Sequence, residues 1–132
     1  MARQIPMLVD SFEATAALNK NRAVKQGSDG RISYCAADDT SFIGVTNEAP
    51  LSASPYFQSV VMDGIVQIES DGSGALAPGD QVVPAANGQI KKRTIASGTN
   101  NRLILGEVMN TVAATSGLLV DVKLKPFNVF ST

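Results

Sequence analysis

At 132 residues and 13.8 kDa the chain has the length of one domain and leaves no room for a second. Its 44% apolar and 17% charged residues are globular composition, and eleven basic against twelve acidic side chains argue against a module that binds nucleic acid by neutralising phosphates. Having no histidine and one cysteine, Cys35, removes the commonest general base, the commonest metal ligand and any intrachain disulfide together.

Residues 1–20 are mixed, with a brief apolar run at Met7 to Val9 and an alanine-rich stretch, Glu13 to Leu18, long enough for one helical turn. They fit an extended N-terminal arm that packs on a neighbour and a frayed terminus about equally well, ahead of a β-domain over residues 21–126. They lack the uninterrupted apolar core of a secretory signal, and no stretch approaches the length of a membrane span, so a soluble protein made in a reducing compartment is expected.

From Arg22 onward the signals are those of short strands. Arg22 to Gln26 and Arg31 to Ala36 flank Gly27-Ser28-Asp29-Gly30, whose glycines supply the positive φ of a tight hairpin. Phe42 to Thr46 is a strand interrupted by Gly44, where a bulge or a close backbone approach is expected. Pro50 and Pro55 make residues 47–56 a loop, because proline cannot donate to a sheet ladder. Phe57 to Met62 returns to strand and meets Asp63-Gly64, either a two-residue turn or a kink in one longer strand.

Ile65 to Ser70 alternates, with Val66 and Ile68 on one face and Gln67 and Glu69 on the other. Asp71-Gly72-Ser73-Gly74 is a flexible turn, and Ala77-Pro78-Gly79-Asp80 fits a type II turn with proline second and glycine third. Gln81 to Ala85 and Gln89 to Thr94 flank Asn87-Gly88, a strong hairpin signal. After the polar loop Ser97 to Asn101, Leu103 to Met109 is a strand carrying Gly106. Leu119 to Lys125 points Val120, Val122 and Leu124 inward until Pro126 ends it, leaving 127–132 as a tail. Together these predict an all-β domain, a single small antiparallel barrel or sandwich. FIGV and LILGEV place glycines 62 residues apart (106 − 44) inside apolar strands, an echo that a duplicated barrel would produce.

Chemistry is sparse. Asp71-Gly72-Ser73-Gly74 is followed by neither Lys-Ser/Thr nor a helix, so it reads as a turn and not as a phosphate cradle. Asp38-Asp39 are adjacent and diverge in a strand, which suits a solvated loop. Cys35 has no base to activate it and reads as a small buried hydrophobe. Lys91-Lys92-Arg93 alternates in direction along its strand, as protection of a sheet edge would require. No catalytic, cofactor-binding or metal site is expected, and neither an enzyme nor a small-molecule binder.

The order RAVKQGSDGRI, FIGVT, DGIVQIESDGSGALAPGDQVV, NGQIKK, LILGEV and LLVDVKLKP, over about residues 8–126, resembles a family of small capsid decoration, or cement, proteins of tailed bacteriophages. Gly64 to Ile68 with Pro78 to Val82, Ile43-Gly44, Leu105-Gly106 and Val120 to Leu124 carry the resemblance; the loop Pro50 to Tyr56 departs from it. The resemblance implies a homotrimer on the outer surface of a virion head, made in the host cytoplasm. It would clamp the major capsid protein near three-fold positions, with no nucleic-acid or membrane partner. The competing expectation is a particle-displayed carbohydrate- or receptor-binding domain, for which Tyr34, Tyr56, Phe57, Phe127 and Phe130 are the aromatic donors.

Overall fold

A computed structural model of the chain describes residues 9–37, 41–50, 55–93 and 101–130, with backbone alone for 101–103 and 125–130. Asp38 and Asp39 with residue 40, residues 51–54 of the proline loop, and residues 94–100 lie outside the described residues, as do residues 1–8 and 131–132.

Among the described residues, ten strands divide into two sheets. The first comprises β1 (Val9–Ala14), β2 (Ala23–Gln26), β3 (Ile32–Tyr34), β4 (Phe42–Thr46) and β5 (Tyr56–Val61), closed into a barrel in the order β1-β3-β2-β4-β5. The second comprises β6 (Ile65–Glu69), β7 (Gln81–Pro84), β8 (Ile90–Lys92), β9 (Asn101–Val108) and β10 (Leu119–Phe130), in the order β6-β10-β9-β7-β8. Turn chemistry fixes the corners. Gly30 has φ +83 in the β2–β3 hairpin, and Asn87 and Gly88 have φ +59 and +74 between β7 and β8. Gly79 has φ +91, and the Asp80 amide donates to the Ala77 carbonyl at 3.1 Å, as the Pro-Gly turn requires.

The two sheets repeat one another strand for strand. A lone parallel pair, Ala14–Ile32, closes the first barrel, and the second curls until a lone parallel bridge, Ser70–Ile90, joins its edges. Val24 lies opposite Tyr34 and Gly44; Val82 lies opposite Lys92 and Gly106. The loop hydrogen bonds match as well. Thr46 N donates to Arg22 O at 2.9 Å and Val108 N to Asp80 O at 2.8 Å, while Cys35 N to Ala23 O at 3.0 Å is matched by Arg93 N to Gln81 O at 2.8 Å. Even the left-handed residues correspond: Asn21, at φ +63, donates to Thr46 O, as Gly79 donates to Val108 O. The FIGV and LILGEV echo is the sequence trace of this repeat. A Cβ on Gly44 would press into the Val61 carbonyl and Val60 Cγ1; one on Gly106 would press into the Lys123 carbonyl and Val122 Cγ1. Each glycine therefore lets its strand lie against the following one at the same register.

Four expectations are corrected. Val9–Ala14 is a barrel strand and not a free arm, since it pairs antiparallel with β5 from Val9–Val61 to Ala14–Tyr56. Its polar alternation hid it, because the outward residues outnumber the buried ones. Glu13 to Leu18 makes no helical turn, and Leu18 is instead buried in the first barrel. At the other end, Pro126 does not end β10, and residues 127–130 are strand and not tail. A register shift between Leu124 and Phe127 accommodates the proline, after which Phe127 pairs with Ile104 and Phe130 with Asn101. Asp63-Gly64 proves to be neither hairpin nor kink: β5 and β6 lie in different sheets, and Gly64, at φ +102, carries the chain across.

The core is aliphatic. Ala14, Leu18, Val24, Ile32 and Val60 form one cluster, with Phe12, Ile43 and Tyr56 packed against it. Ala23, Cys35, Val45 and Val61, also from the first barrel, belong to the cluster that fills the second, with Ile68, Leu76, Val82, Ile90, Leu105, Val120 and Val122. The first barrel thus turns its outer wall into the core of its neighbour. That continuity fixes the two barrels against each other.

Candidate functional site

The junction between the barrels gathers the strongest polar contacts. Arg22, just before β2, ion-pairs through Nε with Glu69 at the end of β6, and its Nη1 donates to the Asn87 carbonyl at 2.9 Å. The guanidinium lies 5.5 Å from the Tyr34 ring centroid, a cation–π contact. The Tyr34 hydroxyl accepts from the Asn19 amide at 2.7 Å, the Glu69 amide donates to the Asn21 carbonyl at 2.9 Å, and the Gly88 amide donates to the Cys35 carbonyl at 3.0 Å. Gly88 cannot be larger here, because a Cβ would meet the Ala23 carbonyl and the Arg22 side chain.

An open groove of about 830 Å³ runs beside this junction, lined among others by Lys20, Arg22, Glu48, Pro50, Glu69 and Leu119. Its charges are mixed, and Arg22 and Glu69 neutralise each other within it. A smaller cleft of about 220 Å³ is lined by Val45, Val61, Ile65 and Val66 together with the polar Asn21, Thr46, Asn47 and Gln67. Among the described residues, no three acidic or cysteine side chains converge as a metal site would demand.

The residues singled out in the sequence are dispersed. Asp71 is a turn former, accepting from Ser73 N at 2.9 Å and Ser73 Oγ at 2.7 Å, and Gly72 abuts the backbone of Ser116. Cys35 is buried against the junction. Lys91 and Lys92 lie on β8 and Arg93 just after it, with Lys92 Nζ 3.7 Å from Asp80 and Arg93 Nη1 3.2 Å from Gln81 Oε1. Of the aromatic donors, Tyr34 is engaged by Arg22, Tyr56 packs on the first core, and Phe57 stands exposed on β5. The side chains of Phe127 and Phe130 lie outside the described residues.

Sequence reading missed the Arg22–Glu69 pair and the role of Asn21. The pair joins residues 47 apart in different sheets, so no local spacing announces it. Asn21 could have been found as a left-handed residue, since asparagine tolerates that conformation better than most.

No family model matches the chain, and no curated protein matches it by sequence. Among solved structures it is similar to the N-terminal base of the head fibre protein gp8.5 of bacteriophage phi29. The TM-score is 0.64 at 17% identity, over 91% of this chain and 95% of that one. At this identity the likeness is one of fold, and it spans both barrels.

Proposed function

We propose that the chain is a structural component of a bacteriophage virion: a decoration protein on the outer surface of the head that binds the major capsid protein and stabilises its lattice as a homotrimer near three-fold positions. It acts by shape and contact, without catalysis or a cofactor. The observation that carries this reading is the near end-to-end fold likeness to a head fibre base, a protein of a phage head. The ordered turn and strand motifs that resemble phage cement proteins support it independently.

The physical logic is that of multivalent attachment. A rigid domain engaging several capsid subunits at once converts weak single contacts into tight binding, and roughly 800 Å² per partner suffices for a stable contact. A displayed glycan-binding domain is not favoured, because Tyr34 and Tyr56 are committed to the junction and the core. Cosedimentation with expanded heads of the phage that encodes the protein, followed by imaging, tests the proposal. Extra density over the capsomers is expected. Heads that bind none of the protein would overturn it.

A further inference from the structure

The second barrel carries more strand than its closure needs. The β9–β10 pairing continues past the register shift at Pro126, with Phe127 opposite Ile104, Asn128 opposite Leu103, Val129 opposite Arg102 and Phe130 opposite Asn101. Among the described residues, β6 accompanies β10 only from Leu119 to Lys123, and β7 pairs with β9 only at Glu107 and Gly106. Beyond Ile104 and Phe127, residues 101–103 and 128–130 therefore form a two-stranded ribbon that no other described strand joins on either edge. The first barrel has no such ribbon: β4 begins at Phe42, the counterpart of Ile104, and β5 ends at Val61, the counterpart of Lys123.

Two strands alone are marginal in water, and unpaired edges invite further strands. Half of the ribbon's six residues, Leu103, Val129 and Phe130, are apolar in sequence. Its two edges say what covers it. One belongs to β9 and the other to β10, so a strand from an unrelated protein would cap one and leave the other open. Copies of this chain cap both, because rotation about an axis along the ribbon lays the β10 edge of each copy beside the β9 edge of the next. Since β9 and β10 are antiparallel and such a rotation preserves strand direction, each new pair is antiparallel as well. Closure also needs enough strands. Two copies bring four, fewer than the five that close the first barrel, whereas three copies bring six.

We propose that the ribbons of three copies close into a small antiparallel barrel on a three-fold axis, main chain adding to main chain at each new edge. The inference rests on the homotrimer of the reading above, for which it supplies the contact, yet it concerns the isolated protein and needs no capsid.

Light scattering and amide hydrogen exchange test it on the wild-type chain. A mass of three chains is expected. In a single chain alternate amides of 128–130 point away from β9 and exchange with water, so protection of all three reads the new pairing directly. Asn128→Pro/Val129→Pro removes two consecutive donors, one of which faces the open edge, and is expected to be monomeric while circular dichroism and a cooperative melt show the barrels folded. Should that variant unfold, the mass and exchange pattern of the wild type decide by themselves. A wild type that is monomeric or dimeric, a trimer whose alternate amides at 128–130 exchange freely, or a folded proline variant that still forms trimers would overturn the proposal. Head cosedimentation is scored separately: trimers with protected ribbons that bind no heads strike the capsid reading alone, and a wild type that attaches to heads as a monomer strikes this inference and leaves attachment standing.

Discussion

Gln58 and Leu18 are bonded in both directions: Gln58 Oε1 accepts from the Leu18 amide at 2.9 Å, and Gln58 Nε2 donates to the Leu18 carbonyl at 2.9 Å. At the corresponding place in the second barrel, Leu76 exchanges the same two bonds with the backbone of Val112, at 2.8 and 2.9 Å. A side chain in one barrel thus does what main chain does in the other. Gln58 is fully buried, so Gln58→Leu leaves the Leu18 amide and carbonyl without partners and should cost about 2–4 kcal/mol. Urea denaturation measures it; a loss of under about 0.5 kcal/mol would show that water replaces the amide without penalty.

The Arg22–Glu69 pair is only 14% and 22% exposed on its two side chains. Replacing Glu69 by Ala removes one charge and leaves Arg22 poorly hydrated, which is worse than losing a surface pair. A loss of about 1–3 kcal/mol is expected, and Arg22→Met/Glu69→Leu should recover part of it. Thermal melts of the two variants beside the wild type decide whether the pair stabilises the junction or merely fits it.

Two glycines separate backbone strain from steric collision. Gly79 has positive φ with nothing within 4 Å of an added Cβ, so Gly79→Ala should cost only the left-handed penalty, about 1–2 kcal/mol. Gly88 has positive φ and a Cβ position against Ala23, Arg22 and Tyr34, so Gly88→Ala adds overpacking of about 1–3 kcal/mol. Equal losses in denaturant titrations would mean that the Gly88 surroundings yield freely.

Asp29 predicts a pH dependence. The Arg31 amide, and after it the Arg31 side chain, hold the Asp29 carboxyl below its ordinary 3.8. A depressed folded-state value gives stability that is present above 3.8 and disappears as pH falls through the lower folded value. Asp29→Asn should therefore melt slightly below wild type at neutral pH, the gap closing under strongly acidic conditions. The effect is small, because the pair is solvent-exposed and screened by salt. A gap that widens on acidification would reverse the assignment.

Much of this architecture is readable from residue pattern, and its limits are physical. Pro78-Gly79, Asn87-Gly88 and Gly30 state their own φ requirements, whereas Gly27 takes no positive φ, and Val66/Ile68 and Val120/Val122/Leu124 state their inward faces by alternation. Val9–Ala14 stayed hidden because its partner, β5, begins at Tyr56 and its apolar residues, Val9, Phe12 and Ala14, do not alternate strictly. Strand grouping was equally hidden: Asp63-Gly64 carries no mark that distinguishes a turn within a sheet from a passage between two.

The passage at Gly64 has a kinetic consequence. Each barrel draws its strands from one uninterrupted stretch of chain, and none is exchanged across that point among the described pairings. The first barrel can complete its pairings before the strands of the second have left the ribosome, so its outer wall, with Ala23, Val45 and Val61, would wait as a template on which the second condenses. A nascent chain halted soon after β5 is expected to be structured yet sticky. The second half, made alone, would lack that wall and fold poorly.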